Sequence, residues 1–257
     1  MGLNHIYDLQ GLLIGKNGAF TAAIEAFEIQ ENEGFDFRSA FTIDSLHAKC
    51  TLASKINVPF YIIVHKENTE CFVFHRVALQ NNQVVEASQS IKSTAEFIQW
   101  WAENKGTIQT KRYNEMQGRI SDSYIDDVLE TNNLKWGGNI DGFIISKHDS
   151  NRVLAIIEKR VTASFNIADY DPANYYNYRG GDYNTWLPVY NLARMLHIPL
   201  FLITFQEGNN ISAGAAVIKE VLPKQLVYES LPPNKNLFDS IISLKRWISK
   251  YLKLHTP

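Results

Sequence analysis

"LKWGGNIDGFIISKHDSNRVLAIIEKR", Leu134–Arg160, contains two apolar runs with charge at their ends. Asp141 opens the first run, and Glu158, Lys159 and Arg160 close the second. Short apolar runs joined by a polar turn, here "KHDSN", predict a pair of strands over 140–146 and 153–161. On a strand, residues i and i+2 share a face, so Glu158 and Arg160 point together and Lys159 points away. Two chemistries fit. Asp141 caps a turn after "WGGN" and "EKR" is a solvated strand end with ordinary ion pairs. Alternatively, Asp141 and Glu158 on neighbouring strands hold a hard divalent cation, which takes oxygen ligands and usually one or two protein carboxylates.

The pattern around this stretch occurs twice in the chain. "LQGLLIGK" (9–16) resembles "IDGFIISK" (140–147), and "AFEIQ" (26–30) lies over "IIEKR" (156–160), with Glu28 over Glu158. "ASKINVPFYII" (53–63) then matches "ARMLHIPLFLI" (193–203), and "QVVEAS" (83–88) matches "QLVYES" (225–230). Each half closes with an amphipathic, tryptophan-bearing segment, "AEFIQWWAENK" and "DSIISLKRWISKYL". Four matches in order predict a tandem duplication. Each copy reads as strand pair, helix, strand, strand, helix, an α/β layered domain. The boundaries are 1–108 and 109–257, with a helix around Tyr124–Leu129 introducing the second copy.

Composition sets wide limits. The 257 residues are 45% hydrophobic and 20% charged, with a net charge of −2, as in a folded globular protein. Residues 1–108 carry 8 Lys+Arg against 12 Asp+Glu, and the remainder 17 against 15, so basic charge leans C-terminal. The two cysteines, Cys50 and Cys71, form no CxxC and read as reduced core thiols, which suggests a cytoplasmic setting. No apolar run approaches the length of a membrane span, and the start has no signal-peptide pattern.

Asp141 at the head of a strand, an apolar hairpin, and Glu158 followed by two cations together resemble the PD-(D/E)XK nuclease superfamily, the restriction-endonuclease-like fold. The resemblance implies two tandem α/β/α domains, each a mixed sheet flanked by helices, arranged as a pseudo-dimer. It implies a Mg²⁺- or Mn²⁺-dependent nuclease acting on DNA, with Asp141 and Glu158 as metal ligands. Lys159 or Arg160 would handle phosphate or water. The family pattern has lysine where this chain has Arg160, and proline where it has Ile140. Arginine holds phosphate well but is a poor proton acceptor.

The first copy departs further, with Gln10 for Asp141 and Gln30 for Arg160, leaving Glu28 alone. An alternative register pairs Asp8 with Glu25 and puts Phe27 at the cation position. Both registers leave an incomplete site, so the first copy is expected to be silent. One competent site cuts one strand at a time, which makes a homodimer a candidate assembly. A catalytically inactive fold that binds nucleic acid, a nucleotide or a protein is the second function class.

Other features are weaker. "ADYDPANYYNYRGGDYNTW" (168–186) is rich in tyrosine, and Arg179, Asp182 and Lys147 are candidate nucleic-acid contacts. The alternative is an ordered surface loop. "GLLIGKN" (11–17) is one residue short of a phosphate loop and lacks its Ser or Thr. Lys245, Arg246, Lys250 and Lys253 flank an apolar stripe in the last helix and read first as a solvated face. The seven histidines show no HxH or HExxH spacing.

Overall fold

The computed structural model describes residues 6–31, 33–105, 123–134, 136, 138–146, 148–162, 167, 171–176, 182–207, 212–229 and 236–255. Lys147 and Arg179 lie outside them. Contacts divide the chain into an N-terminal unit, Leu9–Asn139, and a C-terminal unit, Ile140–Pro257 with Met1–Asp8. Both are α/β, and each contains a mixed sheet.

In the N-terminal unit the strands follow the order β1 (Ile6–Ile14), β2 (Phe20–Ile29), β3 (Phe60–Lys66), β4 (Cys71–Gln80), β5 (Gln83–Ser93). Only β2 and β3 pair in parallel. Their crossover passes through α1 (Phe37–Ala40) and α2 (Ile43–Lys55). Thr42 caps α2 by accepting from Ser45 N–H at 3.1 Å. α2 ends at Ile56, and Asn57 takes the left-handed conformation (φ 56°), which asparagine tolerates better than most residues.

α3 (Thr94–Asn104) starts with a capping box between Ser93 and Glu96. It packs Phe97 and Trp101 on one face of the sheet against Leu13, Ile24, Ile63, Phe72 and Phe74. Phe72 and Phe97 stack at 4.0 Å. α4 (Tyr124–Thr131) joins this same core through Ile125, Val128 and Leu129. The helix expected to introduce the second copy is thus packed into the first unit.

In the C-terminal unit the order is β6 (Gly138–Ile145), β7 (Val153–Thr162), β8 (Leu200–Gln206), β9 (Ala213–Val221), β10 (Leu226–Glu229), with β11 (Asn236–Phe238) also pairing β9. Again one pair, β7 with β8, is parallel, and its crossover contains α5 (Pro172–Tyr175) and α6 (Asp182–Met195). α7 (Ile241–His255) covers one face with Leu244, Ile248, Tyr251 and Leu252, set against Ile144, Ile157, Phe201, Ile203 and Ala215.

The two units repeat each other's local geometry. Gly11 pairs Ile24, and Gly142 pairs Ile157; a register irregularity follows at Leu13/Ile14 and at Ile144/Ile145. Ile24 pairs Tyr61, and Ile157 pairs Phe201. Val58 N–H donates to Ala53 O, and Ile198 N–H to Ala193 O, both at 3.0 Å. Pro59 O accepts from Ala23 N–H, and Pro199 O from Ile156 N–H. His197, at the counterpart of Asn57, is also left-handed (φ 54°). Its place is a helix terminus, matching the sequence expectation that it is not a ligand. Each unit has one strand more than its sequence pattern predicts, because β4 and β5 form a tight hairpin about Asn81–Asn82, both with positive φ, and β9 precedes β10.

Candidate functional site

β6 and β7 run antiparallel with Phe143 opposite Ile156 and Gly142 opposite Ile157. The next rung sets Asp141 against Glu158. Side chains alternate across a strand. Ile144 and Ile157 belong to the α7-side core, so Asp141 and Glu158 share the other face, the one covered by α6. Directly opposed residues have Cβ atoms roughly 4.5–5.5 Å apart, so the two carboxylates are neighbours. Both residues are half-buried. Asp141 Oδ2 accepts the Lys159 backbone N–H at 2.7 Å, which orients the carboxylate along the strand end.

Arg160 lies on the same face, and its guanidinium stacks 4.2 Å above the ring of the buried Trp186 on α6. Stacking holds the plane of the fork and leaves its donors directed edgewise. Lys159 is exposed and alternates to the opposite face, so it offers the pair its backbone N–H rather than its ammonium. Thr204, the β8 partner of Arg160, is 1% exposed, and its Oγ1 has no hydrogen-bond partner among the described residues. Sequence reasoning missed Thr204 and Trp186, since neither sits at a spacing that marks it.

Among the described residues no three His, Cys, Asp or Glu side chains gather into a metal-holding group. Asp141 and Glu158 form a pair, and a pair of carboxylates is a common protein contribution to a Mg²⁺ site completed by water. The donor set fits a hard divalent cation.

The same rung in the N-terminal unit has different residues. Gln10 opposes Glu25, as Asp141 opposes Glu158. Gln10 Oε1 accepts the Ala26 N–H at 2.7 Å, matching the Asp141–Lys159 bond, and Gln10 N–H donates to Glu25 Oε1 at 3.1 Å. Glu25, not Glu28, therefore corresponds to Glu158, and Phe27 corresponds to Arg160. The sequence alignment of Glu28 over Glu158 is corrected by the pairing register. Glu28 serves elsewhere: it accepts from Tyr124 N–H at the start of α4 and pairs with His65 Nδ1 at 2.9 Å. It fastens that helix.

Glu25 is buried and paired with Lys49 Nζ of α2 at 2.5 Å; Lys49 is 2% exposed. Phe27 closes over the pair with Phe35 at 5.4 Å and Phe41 at 5.2 Å, and Lys49 Nζ lies 5.4 Å from the Phe41 ring centre. Nothing in the sequence spacing links Lys49 to Glu25, which is 24 residues away.

The remaining candidates separate from the pair. Asp182 is the first residue of α6. The described part of the tyrosine-rich segment is tied down: Tyr176 is buried with its hydroxyl donating to Leu222 O, and Tyr228 donates to Asp171 Oδ1 at 2.7 Å. α7 packs on the face opposite Asp141 and Glu158, so Lys245, Arg246, Lys250 and Lys253 are on the far side of that sheet. "GKN" forms a β1–β2 hairpin turn, with Gly15 N–H bonded to Ala19 O, and a strand follows rather than the helix that a phosphate loop requires. Cys50 and Cys71 are free thiols, and burial pushes the Cys50 pKa up to about 12. Among the described residues no helix is long and apolar enough to cross a membrane.

Comparison with protein-family models, curated proteins and solved structures returns no match for the chain.

Proposed function

We propose that the protein is a divalent-metal-dependent nuclease that hydrolyses phosphodiester bonds in DNA, with its one competent centre at Asp141 and Glu158. The observation that carries this reading is the placement of both carboxylates on one rung and one face of β6–β7. They would hold Mg²⁺ or Mn²⁺, which supplies an acidified water and offsets charge on the phosphate. Arg160, held flat on Trp186, binds the phosphate oxygens through its fork. The Lys159 N–H fixes the Asp141 carboxylate. The shared pairing register of the two units supports a tandem duplication of a restriction-endonuclease-like domain, with the N-terminal copy silent. Cytoplasmic location and a homodimer belong to the same reading.

A specific observation favours a second reading. Arg160 stays protonated at any working pH and cannot take a proton from water. A nuclease fold that binds phosphate without cutting fits that substitution. Supercoiled plasmid with Mg²⁺ or Mn²⁺ separates the two. The enzyme reading expects nicking that falls by at least about a hundredfold in D141A and E158A, on the order of losing a charge-stabilising group. Retarded but uncut DNA with the wild-type chain, weakened by R160A, supports the silent fold. Cutting that survives both carboxylate variants removes the proposed centre.

A further inference from the structure

We infer that the N-terminal unit contains a cation site filled from within: the Lys49 ammonium is the permanent occupant of a closed cage made by Glu25, Gln10 and three phenylalanines. Burial is the first ground. Glu25 is 8% exposed and Lys49 2%, and a carboxylate withdrawn this far from water persists only beside a cation or many donors. Glu25 Oε1 receives the ammonium at 2.5 Å and the Gln10 N–H at 3.1 Å.

The second ground is an exchange of positions between the units. Counting from the matching turn bonds at Ala53 and Ala193, Lys49 on α2 corresponds to Val189 on α6, which is buried and apolar. Counting along the strand, Phe27 corresponds to Arg160. The N-terminal unit thus takes its cation from the helix and places an aromatic on the strand. The C-terminal unit does the reverse. Gln10 in place of Asp141 removes one negative charge, so a single ammonium neutralises the N-terminal rung.

The third ground is closure. Phe27, Phe35 and Phe41 surround the pair, and the ammonium faces the Phe41 ring. A desolvated ammonium over an aromatic face gains electrostatic support that a hydrated ion would not. The ligand class of this cage is therefore a cation, and the chain supplies it. The N-terminal unit needs no dissociable ion to hold α2 on its sheet. Only the description of the C-terminal unit as the ion-dependent partner rests on the proposed function.

The experiment uses the full chain with D141N and E158Q as background, so that ion binding by the C-terminal pair does not contribute. Free Mn²⁺ is counted by electron paramagnetic resonance, and unfolding is followed by circular dichroism with Mn²⁺ or with EDTA. The background chain is expected to bind no Mn²⁺ and to unfold identically in both. Adding K49A is expected to create one Mn²⁺ site per chain and an Mn²⁺-dependent rise in Tm, and adding E25Q to K49A is expected to abolish both. If K49A unfolds in EDTA, recovery of its fold by Mn²⁺ but not by K⁺ supports the inference. A folded K49A chain that binds no Mn²⁺ overturns it. So does an unfolded K49A chain that Mn²⁺ leaves unfolded while E25Q/K49M folds. Because the background already lacks both C-terminal carboxylates, these outcomes are independent of whether the wild-type chain cuts DNA.

Discussion

Glu25 and Glu158 stand on the same rung of two sheets with the same pairing, yet their surroundings differ. Glu25 is sealed beneath phenylalanines and neutralised by Lys49. Glu158 is half-buried, faces Asp141, and has Arg160 two residues along its own strand. The backbone frame sets where a carboxylate points. The origin of the cation, helix in one unit and strand in the other, sets what the carboxylate can do. One rung is chemically closed and the other has two neighbouring acids.

The comparison can be broken most severely by activity. If the C-terminal rung is the reactive one, E158Q is expected to lower plasmid nicking by at least about a hundredfold, while E25Q leaves nicking of the remaining folded chain intact. Equal loss from both, at equal folded fraction, would erase the asymmetry.

Stability is the next lever. K49M leaves Glu25 charged and unpaired and is expected to cost about 3–5 kcal/mol by urea unfolding; E25Q/K49M recovers most of it, since a neutral pair has no stranded charge. V189K offers the C-terminal unit the helix lysine it lacks, and is expected to weaken any Mn²⁺ binding at Asp141 and Glu158.

Glycine replacement sharpens the match between frames. A Cβ on Gly11 would press on Ile24 Cγ1 and lie 2.7 Å from its Cδ1, whereas on Gly142 its nearest neighbours are at 3.1 and 3.3 Å. G11A is expected to cost about 1–3 kcal/mol by overpacking and G142A less, read from denaturant midpoints.

Smaller still, E28Q loses the charged acceptor for Tyr124 N–H and His65 and is expected to cost ~1 kcal/mol with no change in nicking. An effect on nicking as large as that of E158Q would restore the discarded register. The smallest effect concerns the thiols. With its pKa near 12, Cys50 has almost no thiolate at pH 8, and thiol reagents are expected to modify Cys71 alone in the folded chain.

Much of the frame was legible beforehand. Apolar alternation located β1–β3 and β6–β8, and "NVPF" and "HIPL" marked two equivalent turns into parallel strands because both share a helix end, a left-handed residue and a proline carbonyl. The opening aspartate and the closing glutamate were chosen correctly as neighbours, since antiparallel hairpin strands bring such residues together. The N-terminal counterpart was misaligned by three residues. "EAFE" places two glutamates within reach, and identity of letters favoured Glu28 although hydrogen bonding selects Glu25. α4 was assigned to the wrong unit because its apolar face, visible in sequence, does not state which sheet it covers.

The sequence by itself determined the α/β class, the order of most strands and the pair of acids on β6–β7, because these follow from local periodicity and short connections. Only the tertiary structure decided that Lys49 reaches Glu25, that Arg160 lies on Trp186, and that Phe27 closes one rung. Those contacts join residues far apart in the chain, and they are selected by burial: a charge withdrawn from water must find a partner wherever the packed elements bring one within reach.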